Sequence, residues 1–275
     1  MKKTVLPLIM ANTSYQNKKN VSREEDLNKI QEEEREFWKE YAELMISKYR
    51  DAFLNLPHYQ NELKVINEFI NPQKGQKWLD LGCGSLPVTE LILEKSKGEV
   101  EVIAGDIHLE PAKKRLSELG NPSSVKLQYI DLSQKLPFPD NYFDGIVSSK
   151  VITYITESQG QKGKNALKVI FQEIYRILKP GGVFIWSTPK KDVSRLTGAL
   201  LASIYLLNPY QWIKQKCFLP YFAIKMVKFF TPVEEYTFLN QEEYENLLMQ
   251  IGFQNSNWKI SFGKQVLVNK INKPL

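Results

Sequence analysis

One short run constrains the chain more than any other: Lys77-Trp78-Leu79-Asp80-Leu81 passes directly into Gly82-Cys83-Gly84-Ser85-Leu86-Pro87. A mostly apolar segment ends at two closely spaced glycines, and a proline suited to a first helical turn follows. This reads as strand, tight turn, helix. The same alternation continues downstream. Strands are predicted at Val100–Asp106, Val125–Ile130, Phe143–Ser149 and Val183–Thr188, and helices at Pro111–Leu119 and Ala166–Leu178, the last closed by Lys179-Pro180-Gly181-Gly182. Such alternation predicts an α/β fold with a parallel sheet covered by helices on both faces. A helix over Gln241–Ile251, stopped by Gly252, precedes two short strands, Trp258–Phe262 and Gln265–Asn269. Gly263-Lys264 between them suits a two-residue turn, so the sheet is expected to end in an antiparallel hairpin. Upstream, Ser22 and Glu25 form a capping-box pattern that opens a helix to about Tyr49, and a second helix is predicted over His58–Ile70.

Composition narrows the function classes. The 275 residues are 43% hydrophobic and 25% charged, which excludes collagen-like, coiled-coil and wholly disordered chains. Two cysteines (Cys83, Cys217) and two histidines (His58, His108) cannot build a disulfide framework or a Cys/His zinc cluster. No metal is expected, and the cysteine count fits a reducing, cytoplasmic compartment. The net charge of +6 is concentrated in residues 190–230, where Lys190, Lys191, Arg195, Lys214, Lys216, Lys225 and Lys228 face the single acid Asp192. The rest of the chain is therefore neutral. Between Leu196 and Phe230 the same stretch holds 23 hydrophobic residues in 35. Its longest uncharged run, 196–213, is broken by Asn208, Pro209 and Gln211, and spanning a bilayer takes about 20 mostly apolar residues. Lys2, Lys3 and the run Val5–Ala11 faintly resemble a signal peptide, but no small-x-small cleavage pattern follows. The expected organisation is a polar tail (1–21), a helical extension (22–71), a core (72–189), a basic apolar cap insertion (190–237) and a C-terminal helix and hairpin (238–275).

Three acids mark the ends of three successive strands: Asp80, Asp106 and Asp131. A glycine turn beside a helix N-terminus admits an anionic or polar ligand close to the backbone. An acid ending the second strand can accept from both hydroxyls of a ribose, and ligands of open α/β sheets bind at these carboxyl ends. Together these describe an adenosine-shaped site.

On these residues the chain resembles the class I S-adenosylmethionine-dependent methyltransferases, specifically those of the small-molecule type. The matching pieces are the DLGCG turn (Asp80–Gly84), Asp106, Ile130-Asp131, the LPFPDNYFDGIVSS run (Leu136–Ser149) and the LKPGG turn (Leu178–Gly182), in the family's order. The resemblance covers roughly Lys77–Pro189. It implies a Rossmann-like three-layer sandwich with a seven-stranded, mostly parallel sheet and an antiparallel terminal hairpin. It also implies S-adenosyl-L-methionine as cofactor and S-adenosyl-L-homocysteine as product. By the same resemblance, Gly82 and Gly84 line the methionine portion and Asp80 positions its amino-acid end. Asp106 binds the ribose, Ile107 packs on the adenine, Asp131 accepts from the adenine amino group beside the Leu132 backbone, and Ser148 faces the sulfonium region. One departure stands out: Leu86 occupies the place of the family's third glycine, a residue read as serving close helix packing. Cys83 is read as packing inside the turn, and His108 as a surface residue at a helix start.

Methyl transfer needs a dry pocket and a positioned nucleophile, with a base only where the acceptor must lose a proton. The candidates for that base are His58 and Tyr154. The Asn/Asp-Pro-Pro-Tyr signature of exocyclic-amine DNA methyltransferases is absent after the fourth strand. The expected acceptor is a small, apolar or lipid-like molecule, enclosed by the N-terminal helices with Trp38 and Tyr41 and by the insertion. That insertion reads either as a helical lid or as an anchor on an anionic membrane surface, since some quinone-pathway methyltransferases are similar in carrying a membrane-binding insertion nearby. The alternatives are a nucleic-acid-binding protein or RNA methyltransferase, and a catalytically silent cofactor-binding protein. Nucleic acid is not the expected partner, because leucine and isoleucine outweigh Lys/Arg in the insertion. A Rossmann dehydrogenase is disfavoured by the missing third glycine and by the terminal hairpin.

Overall fold

Among the described residues, seven strands form one sheet. The computed structural model describes residues 49–191, 236–261 and 265–275, with seven helical positions between Glu36 and Ile46. The chain divides into two compact units, Met1–Glu43 and Leu44–Leu275; the second holds the sheet. Of the first, Glu36, Lys39, Glu40, Ala42 and Glu43 are helical.

The elements of the second unit follow local chemistry. Helices α1 (Tyr49–Leu54) and α2 (Pro57–Phe69) precede the sheet; proline opens α2, and Asn71-Pro72 follows its end. Lys95 caps the far end of α2 by donating to the carbonyls of Asn67 and Ile70. Then come β1 (Lys77–Leu81), α3 (Pro87–Ser96), β2 (Glu101–Asp106), α4 (Glu110–Glu118), β3 (Val125–Tyr129) and β4 (Phe143–Ser149). A small hairpin, β5 (Glu157–Ser158) and β6 (Gln161–Lys162), leads into α5 (Lys164–Ile177) and β7 (Leu178–Pro189). After the insertion, α6 (Gln241–Ile251) starts at a reciprocal capping box between Asn240 and Glu243, and β8 (Gln254–Ser261) and β9 (Val266–Asn272) complete the sheet.

Strands β3, β2, β1, β4 and β7 pair in parallel, and β9 runs against both β7 and β8. The strand order reverses between β1 and β4, which is where such sheets open a ligand crevice at their carboxyl ends. Alternating side chains build two cores. Leu79, Ile146, Phe184 and Trp186 meet the buried stripe of α5 (Leu167, Ile170, Phe171, Ile174) and Tyr244, Leu247 and Leu248 of α6. On the other face Trp78, Val102, Val147 and Ile185 meet Ile66 and Phe69 of α2 and Val88 and Ile92 of α3. The result is the expected three-layer sandwich with an antiparallel C-terminal pair.

Three details differ from the sequence reading. Strand β7 begins five residues early, at Leu178, because Leu178 pairs with Phe143 across an irregularity that contains the Lys179–Gly182 turn. The β5–β6 hairpin was not anticipated. The last two strands are longer than predicted, with β8 starting at Gln254 and β9 ending at Asn272. The turn glycine Gly263, the predicted helix from Ser22 as far as residue 35, Trp38, Tyr41 and all of 192–235 lie outside the described residues.

Candidate functional site

The carboxyl ends of β1, β2, β3 and β4 carry the predicted cofactor residues. Asp80 is buried at 1% exposure, and its Oδ2 accepts from the Thr89 amide at 3.0 Å and the Thr89 hydroxyl at 2.7 Å. Burial pushes its carboxyl up to about 7; the two Thr89 bonds oppose that shift, and the Asp106 charge adds to it. The turn then bends over β2, with the Gly82 and Cys83 amides donating to the Gly105 carbonyl at 2.8 and 3.0 Å. Gly82 has φ +80°, and a Cβ there would stand 2.2 Å from Val151 Cγ2. Gly84 has φ +50°, and its Cβ position meets no atom within 4 Å. One glycine is thus demanded by packing and the other leaves a clear approach to the backbone.

Asp106 is fixed by two amides, Gly84 N to Oδ2 and His108 N to Oδ1, each at 2.9 Å. Each carboxyl oxygen keeps a lone pair for a second donor. Burial raises its pKa, and the His108 and Gly84 amides oppose that. Ile107 is half-buried beside it. Asp131 is half-buried, with Oδ1 taking the Ser133 amide at 2.8 Å, and the Leu132 carbonyl accepts from Ser158 Oγ at 2.9 Å. Ser148 is buried and its hydroxyl donates to the Leu81 carbonyl at 2.9 Å, tying β4 to β1 just before the glycine turn.

Cys83 is buried, and burial holds its thiol well above the ordinary range, so it stays a thiol. His108 differs from its reading as a surface residue: the ring is half-buried, and Nε2 is enclosed without a hydrogen-bond partner. Leu86 also differs in its reason. It sits at φ +67°, ψ +24° and is wholly buried, so the place of the family's third glycine is left-handed, and the leucine combines that backbone with a packed side chain.

Of the two base candidates, His58 lies in the first turn of α2, and its side chain falls outside the described residues. Tyr154 ends a short 3₁₀ turn, Ile152–Tyr154, with its ring edge-on to Tyr236 at 5.0 Å and Phe238 at 5.7 Å. Burial first and the Glu62 charge second raise its hydroxyl above the ordinary range, so it holds its proton at neutral pH. Glu62 was missed in the sequence. It is 0% exposed, and its Oε1 accepts from Ser149 Oγ at 2.8 Å and Ser187 Oγ at 2.5 Å, while Oε2 lies 2.9 Å from Lys150 Nζ. The signal was present: Tyr59, Glu62, Ile66 and Phe69 share one face of α2, and an acid on an otherwise apolar stripe calls for a partner.

The glycine cradle fits S-adenosylmethionine. Gly84 leaves room for it, Asp106 presents two fixed acceptors, and Asp131 adds a third at the next strand end. Among the described residues no cluster of metal-ligating side chains occurs.

Comparisons with known proteins bear on the family and the fold. Residues 79–186 match the family described as "Methyltransferase domain". The biotin biosynthesis bifunctional protein BioHC of Teredinibacter turnerae is 36% identical over 122 residues, covering 42% of this chain and only 20% of that protein. The demethylmenaquinone methyltransferase of Symbiobacterium thermophilum is 27% identical over 68% of this chain and 71% of its own length. A solved S-adenosylmethionine-dependent methyltransferase from Aquifex aeolicus shares the fold with a TM-score of 0.53 and 19% identity, covering 85% of this chain and 97% of that one. With the glycine turn, the strand-end acids and the sheet order in place, residues 79–186 are a methyltransferase domain, and the chain is similar to S-adenosylmethionine-dependent methyltransferases.

Proposed function

We propose that the protein transfers a methyl group from S-adenosylmethionine to a small, partly apolar organic acceptor. The observation that carries this reading is the cradle at the β1/β4 reversal, where Asp106 is locked by the Gly84 and His108 amides beside an open Gly84. When bound, the cofactor supplies an electrophilic methyl group on a positively charged sulfur. Asp106 holds the ribose hydroxyls, Ile107 covers the adenine, and Asp131 with the Leu132 backbone meets its amino edge. Asp80, through its bonds to Thr89, fixes the start of α3 and the amino-acid end. Ser148 keeps β1 and β4 together beneath the sulfur. Gly82 and Gly84 admit the methionine chain. Tyr154, which keeps its proton, is a donor toward the acceptor rather than a base, and His58 stands as the alternative base.

A small-molecule acceptor is supported by the relative named demethylmenaquinone methyltransferase. The composition of 190–230 supports a second element of the reading, peripheral attachment to an anionic membrane surface on the cytoplasmic side. Among the described residues no helix is long and apolar enough to cross a membrane.

Two measurements test the reading. Asp106→Ala removes the ribose acceptor and should weaken S-adenosylhomocysteine binding by about 1–3 kcal/mol in calorimetric titration. Equal affinities would reject the role of Asp106. Incubation with methyl-labelled cofactor and a lipid and metabolite extract should label small organic molecules. Label confined to RNA or protein would reject the acceptor class.

A further inference from the structure

The carboxyl end of β4 carries a charged group that the cofactor does not need. Lys150 follows the last residue of β4 at φ +52°, a left-handed backbone that a lysine adopts only where its surroundings hold it. Its amide is fixed by Ser187, through Oγ at 3.0 Å and the carbonyl at 3.3 Å. Its neighbour Val151 packs on Gly82 of the cofactor turn. Lys150 therefore stands at the β1/β4 reversal, beside the cofactor turn and bonded to β7.

The side chain is held as firmly as the backbone. Nζ lies 2.9 Å from Glu62 Oε2 and 4.3 Å from the centre of the Tyr59 ring, both on α2. Glu62 is enclosed completely, whereas the Lys150 side chain keeps 17% of its surface. The ammonium is thus the outer member of the pair. The Glu62–Lys150 contact falls outside hydrogen-bond geometry, and Oε2 has no hydrogen-bond partner. An ammonium has three donors, and an ion pair off the hydrogen-bond axis leaves donors for a third party. Two serine hydroxyls donate to Oε1, leaving Oε2 to face the ammonium.

We infer that Lys150, held by Glu62 and Tyr59, binds an ionised oxygen of the methyl acceptor, so that the acceptor is selected for a phenol-like or enol-like hydroxyl. This rests on the reading that the acceptor is a small molecule seated at this edge. It needs no separate base: an acidic hydroxyl beside the ammonium releases its proton to solvent on binding, and the neutral Tyr154 does not compete for it.

The test uses 4-nitrophenol, which is yellow only when ionised, added to the full chain saturated with S-adenosylhomocysteine. A positive charge at hydrogen-bond distance should lower the ionisation midpoint of the bound phenol by about 1–3 pH units relative to free 4-nitrophenol. Lys150→Met should abolish the shift with S-adenosylhomocysteine affinity unchanged, and Lys150→Arg should restore most of it. If Lys150→Met does not fold, the double variant Lys150→Met with Glu62→Gln removes both buried charges and should likewise show no shift. No shift in the wild type, or the same shift in either methionine variant, would overturn the inference. A lysine-dependent shift in a protein that never labels a small acceptor would reject the proposed substrate class and leave the anion site standing.

Discussion

Asp80→Asn isolates the price of burying an acid at the turn. The carboxyl lies at 1% exposure with its pKa raised from 3.8 to about 7, burial being the main cause. A raised carboxyl favours the protonated form when folded, so its effect on stability runs opposite to that of a salt-bridged acid. Below pH 4 the folded and unfolded chains both hold the proton, and there is no penalty. As pH rises toward 7 the unfolded chain releases the proton first, and stability falls. Three units at about 1.4 kcal/mol each amount to roughly 4 kcal/mol lost above neutrality. Asparagine keeps an oxygen for the Thr89 amide and hydroxyl and carries no charge, so it removes this penalty. Denaturant unfolding of both proteins should show the variant gaining on the wild type by roughly 2–3 kcal/mol between about pH 5 and about pH 8. A difference that stays flat across that range would refute the argument, because it would mean that Asp80 is not held neutral by burial.

Three further outcomes follow from the same geometry. Gly82→Ala drives a Cβ to 2.2 Å from Val151 Cγ2 at φ +80° and should destabilise by about 2–4 kcal/mol in thermal melts, whereas Gly84→Ala, at φ +50° with no atom within 4 Å, should lose only about 1–2 kcal/mol yet weaken S-adenosylhomocysteine binding at least about tenfold by calorimetry. The reverse ranking would contradict the assignment of packing to one glycine and ligand approach to the other. Leu86→Gly relieves a left-handed leucine, a gain of about 1–2 kcal/mol, but removes a wholly buried side chain at a loss of about 2–5 kcal/mol, so chemical denaturation should show a net loss. In liposome flotation the full chain should rise with anionic vesicles at about 0.1 M salt and not at about 1 M, where the Debye length falls to about 3 Å, and deletion of residues 196–230 should abolish flotation.

Much of the fold was legible because its signals are local. β1, β4 and α6 were placed to the residue, since an apolar run ending at glycines, a run opened by Phe143 and ending in serines, and a helix stopped by Gly252 each carry their own boundaries. The early start of β7 was not legible. Leu178 pairs with Phe143, 35 residues away, and no local pattern announces a strand that continues through Lys179-Pro180-Gly181-Gly182. The β5–β6 hairpin, two residues a side, is too short for any periodicity to show.

The cofactor half of the site was legible for the same reason: each of its acids ends a strand, and strand ends in this fold converge by topology. The Glu62–Lys150 pair was not. Glu62 meets Ser149 across 87 positions and Ser187 across 125, so nothing near α2 says what the acid is for. Burying such a carboxylate without partners is costly, and the sequence supplies two hydroxyls and an ammonium from the ends of β4 and β7. Val65 and Ile66 of α2 cover the sheet, whereas Glu62, on the same helix, is wholly buried without being apolar. The acid's partner is a lysine held in a left-handed backbone beside the cofactor turn, so α2 contributes a buried ion pair as well as apolar packing.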